Sequence, residues 1–233
     1  MDASFVRARK RRPRTRAAGI KRAKRLRRAG ARDPERTSAA IHAAAVKEFT
    51  EKGYGGARID AIALRSGVNK RLIYHYFGSK EALYLAVLES GYSGIRSAEA
   101  SLRLADLEPS AAIDKLVDFT WGYFLDHPEF LSLLNIENLH RAKYLKRSAR
   151  VLNLHSPLVA VISGILQRGV EQGVFRRGAD PVHVYVSIAA LGIFYLSNRW
   201  TLSTIFRRDL AAAAELRSWG AHIKTVIQGY LRP

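Results

Sequence analysis

Apolar residues recur at helical spacing along most of this chain, and no segment of useful length alternates with the period of two expected of a half-buried strand. From Asp33 the text turns helical: Asp33 suits an N-cap, and Pro34 suits the first helical position, where a missing N–H costs nothing. Ile41, Ala45 and Phe49, with Ala44 alongside, form one apolar stripe, and Gly53 stops that helix. A short second helix is predicted from Ile59 to about Ser66, with Ile59, Ile62 and Ala63 on one face, and Gly67 supplies a left-handed residue at the turn. A third helix begins at Asn69 and runs to about Tyr76. After Gly78 a fourth opens with Ser79 as cap and Glu81 in the first turn, and it continues to about Leu104. Further amphipathic helices are predicted over 109–126, 128–140, 142–150, 156–172, 181–205 and 209–231, with Pro109, Pro128, Pro157 and Pro181 punctuating their starts. The expected fold class is all-α, with a small N-terminal group of three helices followed by a larger C-terminal helical part.

Charge changes the picture at one end. Residues 1–33 hold 14 Lys and Arg against two Asp, so +12 of the net +19 sits there, while residues 34–233 hold 25 basic against 18 acidic residues. Such a block repels itself and lacks apolar periodicity, so 1–33 is expected to be a disordered basic arm able to track a polyanion. Phe5, Val6, Ile20 and Leu26 are too few apolar anchors among the arginines for stable membrane insertion. No uninterrupted run of about 18 apolar residues stands out, and the basic start lacks the apolar stretch of a secretory signal. With no cysteine in the chain, disulfides, thiolate-bound zinc and iron–sulfur clusters are excluded. The expectation is a cytoplasmic protein with no membrane partner, metal or cofactor.

The second helix, the turn Ser66–Gly67–Val68 and the third helix together have the size of a helix-turn-helix, whose second member enters a major groove. Val68, Ile73 and Phe77 are spaced to face back onto the first two helices. That leaves Lys70, Arg71 and Tyr74 on the opposite face. Arg and Lys can hydrogen-bond guanine O6 and N7, Tyr74 can reach a phosphate or a base edge, and Leu72 suits a thymine methyl. Asn69 opens this helix and joins the candidate set. Lys80 adds a cation to helix N–H groups that already favour a phosphate.

From Thr37 to Leu88 the chain resembles the DNA-binding domain of the TetR family. The resemblance is carried by an alanine-rich first helix ending F-x-x-x-G-Y, then I-A-x-x-x-G-V, then Y-x-x-F-x-x-K, met at Phe49, Gly53, Tyr54, Ile62, Ala63, Gly67, Val68, Tyr74, Phe77 and Lys80. It implies base contacts from Lys70, Arg71 and Tyr74 and phosphate contacts from Arg58, Tyr76 and Lys80, with His75 as a further member. Tyr76 and His75 each keep a structural alternative, ring packing with a wetted polar tip. Arg58 stands where Thr or Ser is common in the family, and Arg71–Leu72 where small residues are common, so the operator sequence does not carry over from relatives. The implied organisation is a DNA-binding domain over 34–80 and an effector-binding and dimerisation domain over 81–233. The implied protein is a homodimeric, ligand-released repressor on double-stranded DNA.

In the C-terminal part, aromatic residues accompany polar ones inside apolar stretches, the usual composition of a ligand pocket. Tyr123, Phe124, Asn135, Asn138, His140, Tyr144, Phe194 and Asn198 are the candidate ligand residues, and an aromatic or short-chain carboxylate is the expected effector. The resemblance also implies a dimer interface made as a four-helix bundle from the 156–172 and 181–205 helices of both chains, to which the apolar stripes of Leu158, Ile162, Ile165 and Leu166, with Ile188, Leu191 and Tyr195, are assigned. Enzyme signatures are missing: there is no G-x-S-x-G, no H-E-x-x-H, and no Lys-Ser/Thr after the glycines of 53–56 to make a phosphate loop. The competing class is a nonspecific architectural nucleic-acid binder driven by the basic arm, which would bind any duplex.

Overall fold

A computed structural model describes residues 33–154 and 156–233. The basic arm expected over 1–33, apart from Asp33, lies outside the described residues, as does His155. Among the described residues there is no strand, and ten α-helices follow one another: α1 (Pro34–Gly56), α2 (Ile59–Ser66), α3 (Lys70–Phe77), α4 (Lys80–Ala100), α5 (Pro109–Asp126), α6 (Pro128–Leu139), α7 (Ala149–Leu154), α8 (Ser156–Glu171), α9 (Pro181–Phe206) and α10 (Ala213–Leu231). Short 3₁₀ turns occupy Leu104–Asp106 and Leu145–Arg147.

The start of α1 follows from its first residues. Asp33 accepts the Glu35 N–H through Oδ1 at 3.1 Å and the Thr37 N–H through its carbonyl at 2.9 Å, so helix donors that lack intrahelical partners are satisfied. At the other end Gly53 takes φ 66°, ψ 174°, and the helical path breaks there, as expected of the glycine.

From Ile41 onward two apolar clusters organise the chain. The first joins Ile41, Ala45 and Phe49 of α1 to Ile59 and Ile62 of α2, Ile73 of α3, and Leu83, Tyr84, Val87 and Leu88 of α4, and it also takes in Leu133 and Tyr144. The second is built around α5, which packs against α8, α9 and α10. Ile113, Leu116 and Phe124 meet Ile162, Ile165, Ile188, Ile223 and Ile227 there. Three polar tips inside this layer find backbone acceptors: Trp121 Nε1 donates to the Leu216 carbonyl at 3.2 Å, Trp219 Nε1 to Leu191 at 3.2 Å, and the Tyr195 hydroxyl to Leu210 at 3.0 Å.

Four expectations are corrected. The fourth helix ends at Ala100, because Arg103 adopts a left-handed backbone (φ 52°) and the chain turns there. The segment expected as a helix over 142–150 begins with Arg141 and Ala142 at φ 55°, passes through a 3₁₀ turn, and becomes helical only at Ala149. The last helix starts at Ala213, since Asp209 captures the Ala211 N–H at 3.0 Å in a turn. Finally, Leu158, Ile162, Ile165, Leu166, Ile188 and Tyr195 are buried within the chain's own second cluster, with Leu191 packed on it, so the stripes assigned to a dimer interface are core. One further feature does not stand out in the sequence: α9 is long and apolar enough, by length and composition, to cross a membrane. His183, Ser187 and Ser197 interrupt that run without charging it.

Candidate nucleic-acid interface

The turn between α2 and α3 is fixed by backbone geometry. Gly67 sits at φ 66°, ψ 24°, its N–H donating to the Leu64 carbonyl at 3.3 Å while the Val68 N–H reaches Ala63 at 3.2 Å. This crossed pair closes the end of α2 and requires a left-handed residue, which glycine adopts without strain. Asn69 then caps α3, its Oδ1 accepting the Leu72 N–H at 2.9 Å. Ile73 is buried, and Val68 and Phe77 pack against the same cluster, so α3 is anchored along the face its spacing predicts.

The opposite face of α3 is open. Lys70, Arg71, Tyr74 and His75 are exposed, and Leu72 is half-buried. Lys70 is not idle: its Nζ lies 3.0 Å from Asp60 Oδ1 on α2, and the hydrogen bond to that carboxylate holds its pKa above the usual range. Tyr76 is half-buried against the first cluster, with His75 edge-on to its ring at 5.3 Å. Arg58 is exposed at the N-cap of α2, and its backbone N–H donates to Glu48 Oε1 at 3.2 Å. Lys80, at the start of α4, is half-buried with its ammonium 4.7 Å from the centre of the Tyr54 ring, and burial lowers its pKa. Beside it, the Ser79 hydroxyl caps α4 by accepting the Ala82 N–H at 3.0 Å.

Two acids that support this surface escaped the sequence reading. Buried Glu48 accepts the Arg58 N–H and pairs with Arg65 Nε at 3.2 Å, tying α1 to α2. Asp60 holds Lys70. Neither has a sequence signal, because both pairings form across helices.

The eight candidate ligand residues do not converge on one cavity. Tyr123 lines a 220 Å³ cavity with His42, His127 and Phe130, while Phe124 is core. Asn135 is exposed and donates to Ser197 Oγ at 3.1 Å; Asn138 is exposed and His140 half-buried. Tyr144 is buried in the first cluster, with ring centres 4.4 Å from Tyr54 and 5.2 Å from Tyr84. Phe194 is exposed on α9, and Asn198 is spent on its carbonyl at 2.8 Å. A larger cavity of about 470 Å³ lies elsewhere, between the end of α4 and α8, lined by Arg96, Glu99, Arg103, Leu104, Leu158 and Val161 among others. No local pattern in the sequence marks it, because its walls come from separate segments of the chain.

Comparison with known proteins agrees with this geometry. Residues 41–87 match the profile of bacterial regulatory proteins of the tetR family, and residues 109–227 match the tetracyclin repressor-like C-terminal domain. The HTH-type transcriptional repressor NicS of Pseudomonas putida is 41% identical over 189 residues, 81% of this chain and 89% of that protein. Among solved structures, Streptomyces coelicolor SCO4942 superposes with a TM-score of 0.64 at 24% identity, covering 84% of this chain and 99% of that one. The Bacillus subtilis transcriptional regulator FadR in complex with stearoyl-CoA superposes at 0.60 with 14% identity, covering 83% and 99%. The chain belongs to the TetR family, and it is a helix-turn-helix transcriptional regulator.

Proposed function

We propose that this regulator is a homodimeric repressor which holds a palindromic operator with two copies of α3 and releases it when a small organic effector enters the C-terminal domain. The observation that carries the reading is the division of α3: Ile73 locks one face while Lys70, Arg71 and Tyr74 stand exposed on the other. Arg71 is suited to a guanine, Leu72 to a thymine methyl, and Arg58, Tyr76 and Lys80 to the flanking phosphates. One such module buries roughly 600–1,000 Å², too little to discriminate against a chromosome of competing sites, so two copies are required and a two-fold axis implies a palindrome.

The dimer contact is assigned to the outer face of α9, where Val182, Val186, Phe194 and Ile205 are exposed. Small residues between them, Ser187, Ala190 and Ser197, suit close helix packing. NicS is itself named a repressor, and FadR carries an acyl ligand in a protein of this fold, which supports both halves of the reading. For the effector we favour an aromatic or short-chain carboxylate in the 470 Å³ cavity, whose lining is apolar apart from a few groups such as Arg96. Helix α4 carries the linkage: its first half sits in the core of the reading head, and Arg96 and Glu99 lie near its end. At 1.5 Å per residue the two ends of its 21 residues are about 30 Å apart on one element.

A selection from random-sequence duplexes tests the DNA half, and the recovered site is expected to be a palindrome with half-sites about one helical turn apart. A metabolite screen on the resulting complex tests the other half. A molecule that raises the melting temperature is expected to weaken operator binding, with coupling of about 1–3 kcal/mol. Recovery of no preferred sequence would favour the architectural binder.

A further inference from the structure

Among the ion pairs of the described residues, Arg96–Glu99 is the one with both side chains buried, at 7% and 2% exposure and 2.7 Å apart. Taking two charges out of water is costly unless the remaining donors and acceptors are used. Here they are not. Arg96 Nη2 donates to the Tyr185 hydroxyl at 2.5 Å, but Arg96 Nε and Glu99 Oε1 are sealed from water and have no hydrogen-bond partner among the described residues. Both residues line the 470 Å³ cavity, whose remaining wall is largely apolar. A spare donor and a spare acceptor on two residues that line one cavity are matched by a head group that offers both an acceptor and a donor.

We propose that this cavity binds its carboxylic acid together with a proton, the acid set against Arg96 and Glu99 with one proton shared between the two carboxyl groups. The proposal rests on the reading of the cavity as the effector site. A bare carboxylate would gain Arg96 but would meet the negative charge of Glu99 in a dry site, where like charges repel strongly. A proton taken from solvent removes that repulsion and supplies the missing donor. The groups facing Glu99 leave it in reach of such a proton: Arg96 on its own helix, Tyr123 from α5 and Tyr185 from α9, while α8 contributes the apolar Leu158 and Val161. Arg103 at the cavity is turned to Asp106 at 2.7 Å. Burial outweighs Arg96 and pushes the Glu99 carboxyl up to about 7, so the proton is taken up as the pH falls through neutrality.

The test uses the full-length protein with benzoate and its neutral counterpart benzamide, which already carries a donor beside its carbonyl. Calorimetric affinities are measured at about pH 6 and about pH 8. Benzoate is expected to bind about tenfold more weakly at the higher pH, and benzamide equally at both. In Glu99→Gln, where an amide donor is permanent, the benzoate dependence disappears. Benzoate affinity that is the same at both pH values in the natural protein, a slope that survives in Glu99→Gln, or no binding of benzoate at millimolar concentration each overturns the proposal. Operator binding is followed in parallel by anisotropy. If benzoate binds with its proton yet leaves DNA bound, this inference stands and ligand-induced release fails. If another molecule releases DNA while benzoate is silent, release stands and this inference fails.

Discussion

Lys70 and Glu99 illustrate two fates of a charged residue in this protein. The Lys70–Asp60 pair is exposed on both sides, so it is weak and salt-screened, and it yields readily to a guanine or phosphate. It holds the side chain on the exposed face of α3 that is proposed to meet DNA. Glu99 is buried, and its environment raises the carboxyl from its ordinary 4.5 to about 7. For an acid so raised, the folded state keeps a proton that the unfolded state loses. The stabilisation is therefore full below about pH 4.5 and is lost as the pH rises through 7. Urea unfolding at about pH 5 and about pH 8 is expected to show the natural protein losing about 2–3 kcal/mol more than Glu99→Gln across that window. Parallel losses in the two proteins would place Glu99 in a wetter site than the one described.

At the scale of elements, the irregular segment between α6 and α7 matters more than its length suggests. Buried Glu137 accepts the backbone N–H groups of Tyr144 at 3.3 Å and Leu145 at 3.0 Å, and so presses the Tyr144 ring into the aromatic cluster beneath the reading head. Glu137→Ala leaves the buried Tyr144 donor and the part-buried Leu145 donor unpaired, and it is expected to cost about 2–4 kcal/mol in denaturant unfolding. A loss under about 1 kcal/mol would mean that water replaces the carboxylate there. This segment also marks where sequence reading stopped. Helix starts at Pro34, Pro109, Pro128 and Pro181 were legible because proline fixes the first helical φ, and the α2–α3 turn because Gly67 and Asn69 act locally. The path after Leu139 was not, because it is set by the Glu137 side chain and by two non-glycine residues, Arg141 and Ala142, in the left-handed region, which their residue types do not signal. The exposed face of α3 was legible from the spacing of Ile73 and Phe77. The 470 Å³ cavity was not, since Arg96, Leu104 and Val161 come from three separate segments and share no local pattern.

For the whole molecule, the stripes on α8 and α9 illustrate an ambiguity that periodicity leaves open. An apolar face at helical spacing says that something covers it, and here Ile162, Ile165 and Ile188 are covered by the chain itself. The proposed contact with a second copy falls instead on the exposed residues of α9. Placing Glu at both Val186 and Phe194 is expected to give a monomer by light scattering at micromolar concentration and to abolish tight operator binding without unfolding the chain. A doubly substituted protein that stays dimeric would move the interface elsewhere. The central claim, that α3 reads bases while its flanks hold phosphates, is tested most directly by comparing the affinities of the natural protein, Arg71→Ala and Lys80→Ala for the selected operator and for a random duplex. Arg71→Ala is expected to cost about 1–3 kcal/mol on the operator and little on random DNA, whereas Lys80→Ala weakens both alike. Equal losses on both duplexes for both variants would contradict the account.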